Sequence, residues 1–407
     1  MHDETSIERR RPVPRRTTGR ADGDRQSRDD PAELRRLRTE SQELDPLAGS
    51  PQPAAHGPEP NEEMPRVRFT RRRLLASVVF VVSVVAFLYF VLPRVLGLRD
   101  TWNRVQHGNG WWFALAAVLE ICSFCGYIAL FRVVFVRGDS RIDWRASYQI
   151  TMAGLAATRL FASGGAGGIA LTAWALTRSG LEPRIVACRM IAFLALLYGV
   201  YMGALVIAGI GLYIGVFAGP APFAITVVPA LFGACVIAIF LGVSLLPADF
   251  DRLVKRWMRG GRLSRIAGQV AAAPTAAASG VRTAIDLVRT RNVYLLGAPA
   301  WWAFDIGVLW ACFHAFGSSP PVAVIVMSYF IGMIGNTLPL PGGIGGVDGG
   351  MIGAFTAFDV PVQLAVVAVL AYRGFAFWLP TVPGGVAYLQ LRKTVARWRR
   401  EEAPSYT

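Results

Sequence analysis

The sequence predicts an all-α integral membrane protein: a polytopic helical bundle with two Gly-rich re-entrant hairpins in an inverted repeat. Three observations lead there. The 407 residues are 53% hydrophobic, 17% charged and of mean hydropathy +0.41, whereas a soluble domain carries about 25% charged residues. Six stretches are apolar over more than the ~20 residues that a spanning helix needs. Two further apolar stretches are broken by runs of glycine.

Charge distribution sets the domain organisation. Residues 1–73 hold 16 Arg and 14 acids, and the rest of the chain holds 26 basic and 13 acidic residues. Residues 1–70 mix Arg, Asp, Glu, Pro and Gly without apolar periodicity, so they read as a disordered cytoplasmic tail. The hydrophilic lead is too long for a signal peptide. Arg71, Arg72 and Arg73 abut the first apolar stretch and hold that end in the cytoplasm. Residues 71–395 form the transmembrane domain, and 396–407 a cytoplasmic C-terminal tail. The net charge of +15 does not argue for nucleic acid, because the Arg excess lies between apolar stretches, where topology explains it.

The expected spans are 74–98, 111–136, 185–217, 222–246, 293–317 and 361–389. The connections 137–145, 249–291 and 392–400 are basic, and those near 218–221 and 317–320 carry no charge. Placing the basic connections inside puts both termini in the cytoplasm. Connection 94–104 is basic yet falls outside in this scheme. Connection 249–291 holds Trp257 and Met258 among basic residues, so it reads either as an amphipathic surface helix or as a plain loop. Six spans return the chain to the cytoplasm only if both glycine-broken segments, 146–180 and 321–358, are hairpins. The first then opens to the cytoplasm and the second to the outside.

The order span, hairpin, span therefore occurs twice with opposite direction. The hairpin centres read Gly164-Gly-Ala-Gly-Gly168 and Gly342-Gly-Ile-Gly-Gly346. The following spans contain Arg189-Met-Ile-Ala-Phe193 and Arg373-Gly-Phe-Ala-Phe377, and the preceding spans each hold one acid, Glu120 and Asp305. Inverted repeats with broken helices are the architecture of secondary transporters, whose substrate site lies near the midplane.

Charges at membrane depth each ask for a reason, since one costs roughly 2.5–3.5 kcal/mol on insertion scales. Arg159, Arg189 and Arg373 are candidate phosphate ligands, because a guanidinium fork suits phosphate oxygens. For Arg373 the alternative is an ion pair with Asp305 or Asp348; for Arg159 it is snorkelling to the interface. Gly164, Gly165, Gly167, Gly168, Gly342, Gly343, Gly345 and Gly346 would let a headgroup approach the backbone. Glu120, Asp305 and Asp348 balance charge or carry protons, and Asp348 also suits a cap on the second half-helix. The pairs Trp111-Trp112 and Trp301-Trp302 read as interface markers. The five cysteines read as small apolar packers. No metal set, cofactor motif or catalytic signature is evident, so neither a metal, a cofactor nor an enzymatic role is expected.

The run Asn336-Thr-Leu-Pro-Leu-Pro-Gly-Gly-Ile-Gly-Gly-Val-Asp-Gly-Gly350 resembles the Pro-Gly-Gly-(Ile/Leu)-Gly signature of the lysylphosphatidylglycerol synthase transmembrane region, or flippase-like domain. Gly164–Gly168 with 173–180 is similar to that family's first glycine motif, and Arg373, Phe377, Pro380 and Gly384 resemble its last-helix pattern. The resemblance covers roughly 74–395. It implies a protein of the cell membrane that moves an anionic phospholipid or lipid-linked molecule between leaflets. In members with a soluble synthase domain, the membrane region flips the aminoacylated phosphatidylglycerol which that domain makes. No synthase pattern follows here, so aminoacyl transfer is not expected. Val347-Asp348 stands where members often carry Arg-Glu. The alternative is a non-transporting scaffold or regulatory subunit for a lipid-modifying or cell-wall enzyme. Membrane lipids are the expected partners, and the N-terminal tail is the candidate contact for a cytoplasmic protein.

Overall fold

The computed structural model describes residues 109–136, 140–160, 166–245, 262–338, 340 and 343–402. Among them the only regular structure is helical. Eleven α-helices follow in order: α1 Gly110–Phe135, α2 Trp144–Leu160, α3 Ala166–Arg178, α4 Pro183–Tyr213, α5 Phe223–Ser244, α6 Arg262–Arg289, α7 Gly297–Ala315, α8 Val322–Met333, α9 Gly346–Ala357, α10 Val362–Arg373 and α11 Leu379–Glu402. Short 3-10 turns precede α7 and follow α8, and a π-helical turn, Gly374–Trp378, links α10 to α11.

Five helical stretches are long and apolar enough to cross a membrane: Gly110–Phe135, Pro183–Tyr213, Phe223–Ser244, Val293–Ala315 and Val362–Glu401. They fall on five of the six expected spans. The sixth, 74–98, and the tail before it lie outside the described residues, as does connection 94–104.

Local sequence sets the helix ends. Asn109 accepts a hydrogen bond from the Trp111 amide at 3.0 Å, and Asp143 accepts one from Ala146 at 2.6 Å, each supplying an acceptor to a free N-terminal N–H. Pro183 opens α4 at a position where its missing N–H costs nothing.

The bundle is apolar outside as well as inside. Val118 and Ile121 on α1, Leu231 and Ile239 on α5, and Val382 and Leu389 on α11 are all exposed. On α5 the only buried residues are Thr226, Ala230 and Gly233, a narrow stripe of small residues laid on α4. An apolar exterior around a small-residue seam is the pattern of helices packed in lipid.

Both glycine-broken segments are helix, break, helix. In each, the two arms lie side by side, α2 on α3 and α8 on α9. Packing repeats along the chain: α1–α2, α2–α3 and α3–α4 contacts are matched by α7–α8, α8–α9 and α9–α10. Likewise α8 lies on α4, and α2 lies on α11. The most extensive contact joins α1 to α7, where Gly126 and Gly297 meet.

One reading of the sequence is corrected. Trp301 and Trp302 are not interface markers; they are 9% and 7% exposed, and the Trp302 indole N–H donates to the Leu197 carbonyl at 2.8 Å. The basic stretch 392–400 is helical, as part of α11. On α11, Ala387, Leu391, Val395 and Trp398 are buried at helical spacing, against α2, and Thr394 donates to Gln149 at 2.7 Å. In connection 249–291, α6 is a helix that packs on α4 and α5 through Ala278, Val281 and Ala284.

Candidate functional site

Five of the six charges that the sequence places at membrane depth gather in one region: Glu120, Asp305 and Arg159 together, with Arg373 and Asp348 beside them. Glu120 lies mid-way along α1 and is 1% exposed; Asp305 lies mid-way along α7 and is 6% exposed. The Gly126–Gly297 crossing holds these helices close enough for the two carboxyls to lie within electrostatic reach of each other. Ser123, one turn after Glu120, donates to the Trp301 carbonyl at 2.9 Å and fixes the register of the crossing.

Arg159 ends α2 just before the first break. Its guanidinium lies within electrostatic reach of Glu120, Asp305, Tyr372 and Arg373, with its Cζ 5.8 Å from the Phe124 ring centroid. Its Nη1 is buried and has no hydrogen-bond partner among the described residues, and the same holds for Glu120 Oε2. Asp305 is better held. Its Oδ2 accepts from the Tyr329 hydroxyl on α8 and from the Tyr372 hydroxyl on α10, the latter at 3.0 Å.

Beside this cluster, Arg373 at the end of α10 donates from Nε to Asp348 on α9. Asp348 also accepts from the Gly345 amide at 2.8 Å. One carboxylate thus caps α9 and ties it to α10. Of the two ion-pair partners open to Arg373, the structure has Asp348. The pair is 14% and 4% exposed at its side chains, so removing one member strands charge in an apolar setting. Asp348→Ala is expected to cost about 3–5 kcal/mol, read as a fall in Tm of the detergent-purified protein. Arg373→Ala should cost a similar amount, and the double variant clearly less than the sum. An additive double variant would separate the two side chains.

Arg189 does not join the cluster. It donates to the Phe135 carbonyl at 3.0 Å and so serves the last turn of α1. Of the glycines, Gly164, Gly165 and Gly342 lie outside the described residues. Gly168 is buried where a Cβ would stand 2.4 Å from the Gly154 carbonyl oxygen, so it lets α3 lie against α2. Gly167, its neighbour, is half-buried. Gly346 meets Gly335 across the second hairpin, backbone against backbone. Gly343 and Gly345 take φ of +64° and +84°, a left-handed turn that favours glycine, and Gly345 is exposed.

Tyr329 and Tyr372 escaped the sequence reading. The available signal was weak: a single tyrosine in each of α8 and α10, one of them adjacent to Arg373. A tyrosine in such a segment reads equally well as an interface anchor.

Residues 74–384 match the lysylphosphatidylglycerol synthase TM region. The chain belongs to the lysylphosphatidylglycerol synthase TM family. Both glycine breaks and every charged residue of the cluster fall within the matched part. Three relatives are UPF0104 membrane proteins. One, from Methanothermobacter thermautotrophicus, is 29% identical over 110 residues, 26% of this chain and 31% of that protein. A second match to a UPF0104 membrane protein of that organism is 22% identical over 330 residues, 76% of this chain and 94% of that protein. A third, from Methanocaldococcus jannaschii, is 30% identical over 95 residues, 23% of this chain and 28% of that protein. The first and third matches thus span under a third of those relatives. No solved structure matches the chain. The family assignment agrees with the helices: this is a multi-pass membrane protein.

Proposed function

We propose that this membrane protein moves an anionic phospholipid, or a lipid-linked phosphate, between the leaflets of the cell membrane. The observation that carries the reading is Arg159. A guanidinium stands at a helix break inside an apolar bundle, and its buried Nη1 has no partner among the described residues. Such a donor costs free energy until an acceptor reaches it. A phosphate oxygen suits the guanidinium fork in both charge and geometry. The acyl or polyprenyl chain needs no enclosed site, because the outside of the bundle is itself apolar.

The breaks in the helices add support. Irregular backbone at membrane depth persists only where protein or a water-filled cavity covers it, and transporter folds place substrates at such breaks, between repeats. The matched packing of α1–α4 and α7–α10 favours an inverted repeat around the cluster. Basic connections 137–145, 249–291 and 392–400 favour a cytoplasmic side for both termini.

The test is reconstitution of the full chain in liposomes with labelled phosphatidylglycerol, lysylated phosphatidylglycerol or a polyprenyl phosphate, scoring label accessible from the outer leaflet. At least one of these lipids is expected to exchange faster than in protein-free liposomes. Exchange at the protein-free rate for all three, from protein shown to be folded, would overturn the reading.

A further inference from the structure

Arg159 accounts for an anion, but it does not account for Glu120. That carboxyl is 1% exposed and its Oε2 has no hydrogen-bond partner among the described residues. The groups facing it are Asp305 and Cys312 on α7, Arg159 at the end of α2 and Tyr372 on α10. From α4, Tyr198 faces Tyr127 instead. Two carboxyls therefore share one guanidinium, while Arg373 is matched in charge by Asp348.

An anion arriving at Arg159 adds a negative charge to this apolar setting. An unbalanced charge there costs several kcal/mol. The guanidinium cannot answer by changing its charge, and Tyr329 and Tyr372 already hold their protons as donors to Asp305. The carboxyls can answer by taking up a proton. Asp305 has two hydroxyl donors on Oδ2, whereas Glu120 has a vacant oxygen.

We propose that anion binding at Arg159 is coupled to proton uptake by the Glu120–Asp305 pair, with Glu120 as the carboxyl that holds the proton. This rests on the headgroup reading of Arg159 given above. Each carboxyl sits on the helix that opens one half of the repeated order, so the proton lies where the two halves meet. Coupling is reciprocal: if the anion draws in a proton, protons tighten binding of the anion.

The experiment is calorimetric titration of the detergent-purified full chain with dihexanoylphosphatidylglycerol. It is run at about pH 9.5, where the pair can still accept a proton on binding, in two buffers of different ionisation enthalpy, alongside the liposome exchange assay. The phosphodiester keeps one fixed charge, so any proton movement belongs to the protein. The wild type is expected to take up about one proton per lipid bound, and its affinity to fall as pH rises. Glu120→Gln should lose the buffer-dependent heat. Asp305→Asn serves as the second variant if Glu120→Gln fails to fold, and the wild-type titration decides alone if both fail. Binding with the same heat in both buffers, while exchange proceeds, would overturn the coupling and leave the transport reading standing. Neither binding nor exchange by folded protein would remove the headgroup reading itself, and the coupling with it.

Discussion

Arg159→Gln is expected to slow lipid exchange by about 10–100-fold, the loss of one charge-assisted hydrogen bond worth roughly 1.5–3 kcal/mol. The variant keeps a polar, shorter side chain but removes the positive charge and the fork. Its effect on stability should be smaller than its effect on exchange, because two changes oppose. The buried Nη1 that lacks a partner among the described residues disappears, which removes a desolvation cost. Glu120 and Asp305 lose their countercharge, which adds one.

Arg159→Lys separates charge from geometry. An ammonium restores the charge beside the two carboxyls but cannot offer two parallel N–H donors to a phosphate. It should therefore recover stability and recover exchange only in part. The decisive comparison is exchange rate against Tm for wild type, Gln and Lys. Full exchange by Arg159→Gln would take Arg159 out of the site. Exchange falling only in step with Tm would make Arg159 a structural countercharge for Glu120 and Asp305.

How much of this was legible in the sequence follows from which physical forces are local. Span 111–136 predicts α1 at Gly110–Phe135, and span 222–246 predicts α5 at Phe223–Ser244, because length and hydropathy alone decide a membrane helix. The glycine runs mark both breaks for a similarly local reason. Convergence of Glu120, Asp305 and Arg159 is a tertiary fact, and sequence offered only the cost of placing each in an apolar stretch. The same argument made Arg189 look like Arg373. The two diverge because Arg373 finds Asp348 on α9, while Arg189 donates to a carbonyl at the end of α1. Trp301 and Trp302 misled because an indole pair near a helix start suits both an interface and a core whose carbonyls can accept its N–H. The extension of α11 was readable: Leu391, Val395 and Trp398 keep a helical period beneath the basic residues of 392–400.

Gly297→Val should part the two helices that make the most extensive contact in the described bundle. A Cβ at Gly297 would stand 2.2 Å from the Gly126 carbonyl oxygen and 2.8 Å from the Leu130 amide nitrogen. Both obstacles are backbone, so no side chain can rotate away, and α1 and α7 must part. Overpacking in a close-packed interior commonly costs about 1–3 kcal/mol, and two helices forced apart along their main contact should reach or pass the top of that range. A graded series tests the contact. Gly297→Ala should lower Tm more than Gly126→Ala, whose added Cβ meets its nearest atoms at 3.1 Å. Gly199→Ala on α4, with nothing within 4 Å, should leave Tm unchanged. If Gly297→Ala were as stable as wild type, α1 and α7 would not cross at Gly126. The consequence would reach the charged cluster, since that crossing is what brings Glu120 to Asp305. Small residues at a helix crossing thus act here at a distance from the chemistry: they set how closely two carboxyls and one guanidinium can share a site.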